Sequence, residues 1–134
     1  MKRETGIVVG IALAVAACAV WALAPSLPGG VLTNMDDDVY MATAQQDGGL
    51  TPQGIQWAFT EIRPYYHPLP RLTYLVTYNF CGTRPLGHHA VNLALHAFNS
   101  MLVVALAWAL FRDAATAGFT GLLFAVHPLQ AESV

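Results

Sequence analysis

The sequence predicts an all-α, polytopic membrane protein with about three transmembrane helices and a long outer loop carrying interfacial helices. Three observations predict it. Of 134 residues, 55% are hydrophobic and 10% are charged, against about 25% charged in a soluble domain. The 14 charges leave neutral runs at 5–35, 85–111 and 114–131, of 31, 27 and 18 residues. Each run is long enough for a candidate membrane helix, since about 20 apolar residues cross the hydrocarbon core. The same composition argues against a soluble enzyme and excludes a disordered chain. Six Lys+Arg against eight Asp+Glu leave no basic patch for nucleic acid.

The first span covers about 6–24. Lys2 and Arg3 precede it, as in a signal peptide or a first membrane helix. The apolar core of about 19 residues exceeds the 7–15 of a signal h-region, which favours an uncleaved helix. Ala22-Leu23-Ala24 is the candidate cleavage site of an ordinary signal, although Pro25 follows it directly. Val15-Ala16-Ala17-Cys18 resembles a lipobox and leaves a lipoprotein-type anchor as an alternative. Pro25-Ser26-Leu27-Pro28-Gly29-Gly30 ends the helix with clustered breakers.

The outer loop, about 25–86, holds eight of the 14 charges. Thr51-Pro52 predicts an N-cap followed by proline in the first helical turn. Ile55, Ala58, Phe59 and Ile62 then fall at helical spacing. A second helix is expected from Pro68-Leu69-Pro70, with Leu72, Leu75, Val76 and Phe80 apolar. Both are too short to span. They are expected to lie at the interface, with Trp57, Tyr65, Tyr66, Tyr74 and Tyr78 at headgroup level or packed on the membrane helices. Cys18 and Cys81 are expected at different depths and unpaired, and their spacing gives no zinc signature.

The second span covers about 87–111. Its His89, Asn92, His96 and Asn99 recur at steps of three, four and three, which predicts one inward polar face. Interhelical hydrogen bonds and direct substrate contact are both open to it. Arg112-Asp113 predicts a very tight turn. The third span, about 114–126, is short and is expected to end within the membrane at His127-Pro128. Lys2, Arg3 and Arg112 place the N-terminus and this turn in the cytoplasm by the positive-inside rule, and Arg84 argues the other way. The loop and the segment 127–134 then share the outer side. With no closing span after Val134, the chain is expected to be part of a longer protein.

The densest charge is Asp36-Asp37-Asp38, close after the first span. Adjacent carboxylates repel, which raises at least one pKa and suits a general base or a divalent-cation site. His127 and Glu132 follow the third span on the same predicted side. They lack the i, i+4 spacing of a helical metal pair, so no metal site is assigned to them. His67 in the loop and His88-His89 at the start of the second span complete the candidate polar elements.

Four stretches carry a resemblance. They are Asp36-Asp37-Asp38-Val39-Tyr40, His67-Pro68-Leu69, Gly87-His88-His89-Ala90-Val91-Asn92-Leu93-Ala94-Leu95-His96-Ala97-Phe98-Asn99 and His127-Pro128-Leu129-Gln130-Ala131-Glu132-Ser133-Val134. Their order resembles the start of the membrane domain of GT-C glycosyltransferases, in particular bacterial relatives of the transmembrane and tetratricopeptide-repeat O-mannosyltransferases. Gln130 departs from the family, which often has His there. The resemblance implies sugar transfer from a polyprenyl-phosphate-linked donor to a protein or glycan acceptor on the outer side of a bacterial inner membrane. It implies that one of Asp37, Asp38 or Asp36 is the base. It also implies that His127 and Glu132, with His67 and His89 nearby, form the substrate-binding surroundings. The alternative is a non-catalytic membrane scaffold or degenerate remnant. Three helices alone do not enclose a lipid donor and an acceptor, so the isolated chain is expected to be inactive.

Overall fold

A computed structural model of the chain describes residues 2–28, 48–62 and 66–132. Every regular element among them is helical. The helices are α1 (Lys2–Leu23), α2 (Pro52–Thr60), α3 (Pro68–Cys81), α4 (Pro85–Phe111) and α5 (Ala114–Val126), with 3-10 turns at Ala24–Ser26 and Pro128–Glu132. The three apolar runs became α1, α4 and α5 within a few residues of their expected bounds. Glu4–Ser26 and Pro85–Phe111 are long and apolar enough to cross a membrane. The third expected span has only 13 residues, about 20 Å of helix, and falls short of a full crossing. The chain divides into two compact units, one of residues 1–27 and 89–134, the other of 28–88.

In the first unit, α5 is the central small-residue helix. Ala117, Gly121 and Ala125 recur every four residues and are buried. A Cβ on Gly121 would strike Val104 Cγ2 of α4 and sit 3.5 Å from Val15 Cγ1 of α1. Gly121 thus marks a place where the three helices approach closely, the use membrane helices make of small residues. Ile11 lies beside Gly118 and Val15 beside Gly121, so α1 and α5 run parallel. Val104 meets Gly121 and His96 reaches Ala125, so α4 runs antiparallel to α5. Val8, Val15, Ala19, Ala97, Val104, Ala107, Ala117 and Ala125 form the core.

Arg112 and Asp113 make the expected tight turn between α4 and α5. Arg112 adopts φ 55°, a left-handed conformation costly for a residue with a Cβ. Asp113 caps α5, its Oδ2 accepting from Thr116 N at 2.7 Å. That bonding from Thr116 holds the exposed carboxyl below its ordinary value of 3.8. The parallel run of α1 and α5 brings the α1 N-terminus and the 112–113 turn to the same end of this unit.

In the second unit, Thr51 is the N-cap the Thr51-Pro52 pair predicted. Its Oγ1 accepts from Gly54 N at 3.0 Å, satisfying a donor the helix leaves free. Gly54 is needed because a Cβ there would come within 2.5 Å of Gly49 O and 3.3 Å of Leu75 Cδ1. Ala58 and Leu75 form a small core, flanked by Trp57, Leu72 and Tyr78. α3 starts at Pro68, where the sequence places it, and ends at Gly82 with φ 60°. Both cysteines are free thiols, as their positions predicted.

Candidate functional site

The polar face predicted on α4 is turned from its expected position. Leu93, His96, Ala97, Ser100, Val104 and Ala107 are the buried residues of this helix in the first unit, whereas Asn99 is exposed and His89 and Asn92 half-buried. At about 100° per residue, the centre of the buried seam falls between His96 and Ala97, and Asn99 lies about 110° from it. Asn99 therefore does not join an inward face, and Ser100 takes the inward place.

His96 holds the end of α5. Its Nε2 lies 3.0 Å from Ala125 O, across 29 residues of chain. A carbonyl oxygen only accepts, so Nε2 carries the proton. Phe124 stacks on the imidazole at 5.3 Å, and Ser100 Oγ donates to His96 O at 2.8 Å. The last carbonyls of a helix have no partner within it. Pro128 has no N–H to offer, and Leu129 N donates to His127 Nδ1 at 3.3 Å. The imidazole of His96 thus supplies what the chain beyond Val126 does not.

His127 follows as an exposed residue in extended conformation. Its carbonyl accepts from Gln130 N at 2.9 Å, closing the turn Pro128–Glu132. The segment 127–132 is thereby fixed directly to an α5 end that is itself held from α4. Glu132 belongs to this turn, but its side chain lies outside the described atoms.

The second unit holds the other candidate, His67, exposed at the N-cap position of α3, its carbonyl accepting from Arg71 N at 3.2 Å. Arg71 is fully buried. Its guanidinium lies 4.8 Å from the ring centroid of Trp57 and Nη1 donates to Glu61 O. His88 is also buried. Its Nε2 sits 3.1 Å from Gly82 O and Tyr74 stacks on it at 5.3 Å. Trp57 and Tyr74, both half-buried, thus pack onto cationic and imidazole groups of their own unit, while Tyr66 is exposed. Tyr65 lies outside the described residues.

Asp36, Asp37 and Asp38 also lie outside the described residues, and with them any cation site at that cluster. His89 and His127 belong to one unit and His67 to the other. Among the described residues, no three His, Cys, Asp or Glu side chains are grouped as metal ligands. Sequence reasoning missed Arg71, Ser100 and the His96–Ala125 bond. The Ala-x-x-x-Gly-x-x-x-Ala pattern at 117–125 was a readable signal for the helix seam. Nothing in the sequence signalled that Arg71 is buried.

The architecture is that of a helical integral membrane protein, and known proteins narrow its class. No family model and no solved structure matches the chain. Over 69 residues, 52% of this chain, it is 39% identical to "Protein O-mannosyl-transferase tmtc2" of Xenopus laevis, of which the match covers 8%. It is 35% identical to the human protein O-mannosyl-transferase TMTC3, over 52% of this chain and 7% of that protein. It is 38% identical to protein O-mannosyl-transferase Tmtc1 of Drosophila melanogaster, over 52% and 8%. The chain is therefore similar in part to glycosyltransferases, and the matched stretch is less than a tenth of these relatives' length.

Proposed function

We propose that this chain is the front portion of a GT-C-type membrane domain that transfers a sugar from a polyprenyl-phosphate carrier to an acceptor hydroxyl on the outer side of the membrane. The single observation that carries this reading is the 69-residue similarity to protein O-mannosyl-transferases. Those names make mannose the first donor sugar to try and a protein hydroxyl the first acceptor.

One of Asp37, Asp38 or Asp36 takes the proton of the acceptor hydroxyl. The acceptor oxygen bonds to the anomeric carbon as the bond from that carbon to the phosphate oxygen breaks. Polyprenyl phosphate leaves with the electron pair, and the anomeric centre inverts. A carboxylate beside like charge is a stronger base than an isolated one, which suits the clustered acids. His127 and Glu132 orient acceptor or base from the segment held through His96, with His67 and His89 as further substrate contacts. The shared end of the α1 N-terminus and the 112–113 turn supports a cytoplasmic placement for both, which leaves 127–132 toward the other side.

The test is transfer of labelled mannose from polyprenyl-phosphate-mannose to a protein acceptor, in membranes carrying the protein at its full natural length. Asp37→Asn, Asp38→Asn and Asp36→Asn are compared with the unaltered protein. The base variant is expected to lose about 100-fold or more in rate. Wild-type transfer by all three variants overturns the base assignment, and absence of transfer by the unaltered protein with every polyprenyl-phosphate sugar tried overturns the reaction.

A further inference from the structure

α4 keeps a second face, turned away from its seam with α1 and α5. Asn92, Leu95, Asn99, Leu102, Leu106 and Leu110 recur at steps of three, four, three, four and four. At about 100° per residue they fall within about 80° of arc, centred about 130° from the buried seam. The four leucines are 46%, 50%, 60% and 67% exposed, Asn99 is exposed and Asn92 half-buried. Asparagine alternating with leucine at this spacing is the a/d pattern of a two-stranded helix pair, with the amides at a. Asn99 stands one residue from the midpoint of the 27-residue helix Pro85–Phe111, which places it at the middle of a span. Among the described residues, no side-chain hydrogen bond reaches either amide. An amide in hydrocarbon is costly until a partner satisfies it. The neighbouring helices offer none. α1 has no Asn, Gln, His, Ser or Thr from Gly6 to Leu23. In α5, Thr116 belongs to the cap at Asp113 and Thr120 Oγ1 donates to Thr116 O.

We propose that this face pairs with the same face of a second copy of the protein, about a two-fold axis along the membrane normal, with Asn99 bonded to the partner's Asn99. Copies of one protein share a topology, so their α4 helices run parallel and bring like residues to the same depth. A primary amide carries both donors and an acceptor and is its own complement across such an axis. A helix of different sequence would need a polar group of its own at the same depth and phase. Leu95, Leu102 and Leu106 then pack between the two helices, and the polar a position sets their register. This pairing is independent of sugar transfer and stands if the proposed reaction fails.

Single cysteines at 95, 102 and 106, and at the exposed positions 94 and 105 off this face as controls, are placed in the protein at its full natural length, with Cys18, Cys81 and any other native cysteine replaced by alanine. Copies with two different epitope tags are produced together and oxidised with copper phenanthroline in their own membranes. Disulfide-linked pairs carrying both tags are expected at 95, 102 and 106, well above the level at 94 and 105. Association is also read by energy transfer between labelled copies in phosphatidylcholine vesicles. Asn99→Leu is expected to raise the dissociation constant about tenfold, whereas Asn99→Gln, which keeps an amide, is expected to retain most of the affinity. Absence of doubly tagged pairs, as when a different helix covers the face, would overturn the proposal. So would equal crosslinking at all five positions, unchanged association of Asn99→Leu, or an equal loss in Asn99→Gln.

Discussion

The two units bury polar groups for opposite ends. In the first, the seam of α1, α4 and α5 is apolar and built on small residues, and a long-range polar bond, His96 to Ala125 O, closes a helix end. In the second, a cation is the centre: Arg71 lies against Trp57 and bonds the chain at Glu61. The difference teaches that close backbone approach suffices where apolar helices meet along a seam of small residues. Two short helices with only Ala58 and Leu75 as buried apolar contacts need a specific polar clasp.

That contrast is open to disruption from each side. The largest expected effect is at Arg71. Arg71→Ala removes a buried charged hydrogen bond and a desolvated cation–π contact, together about 3 kcal/mol. Amide exchange should rise across 52–81 and stay unchanged in α5. Equal loss of protection in both units would mean that they are not separate cooperative bodies.

Next is Gly121→Val, which forces a branched side chain between Val104 and Val15. Overpacking of this kind costs about 2 kcal/mol. Thermal unfolding in detergent should shift down, with protection lost in α5 and retained in α2 and α3. A smaller effect is expected for His96→Leu, which leaves Ala125 O without its donor at about 1 kcal/mol. His96→Gln, which can still donate, should recover part of the loss, read as amide protection of 127–130.

The smallest effect concerns Asp113 and has a definite sign. Thr116 holds its carboxyl below 3.8, so the ionised cap contributes fully above that value and is lost as pH falls through the lowered one. Melting in detergent from pH 6 to pH 2 should show a slight acid-induced loss that Asp113→Asn lacks, because an amide oxygen caps without titrating.

Much of the architecture was legible along the chain. Charge-free runs marked the apolar helices because hydration excludes charges from lipid, and this holds whatever the neighbours are. Thr51-Pro52 and Asp113 were legible for a different reason: a capping oxygen acts within three residues of its own position. The polar stripe on α4 was legible only in outline. Its period was visible, but its phase depends on which side α5 packs against, and Asn99 and Ser100 exchanged places accordingly. The packing of two loop aromatics was not legible for a related reason. Trp57 and Tyr74 are drawn inward by Arg71 and His88, partners that hydropathy does not predict.

The sequence by itself determined that this protein is helical, apolar along two full-length helices and one half-length helix, and capped and broken where its Thr, Asp, Pro and Gly residues fall. Only the tertiary structure decided that α5 is the central small-residue helix, that His96 donates to Ala125 O, and that Arg71 is a core residue. The physical reason is range. Hydration and capping are set by a residue and its chain neighbours, whereas the His96–Ala125 hydrogen bond joins groups 29 residues apart and the packing of α1 on α5 joins residues as distant as Ile11 and Gly118, which meet only when the helices do.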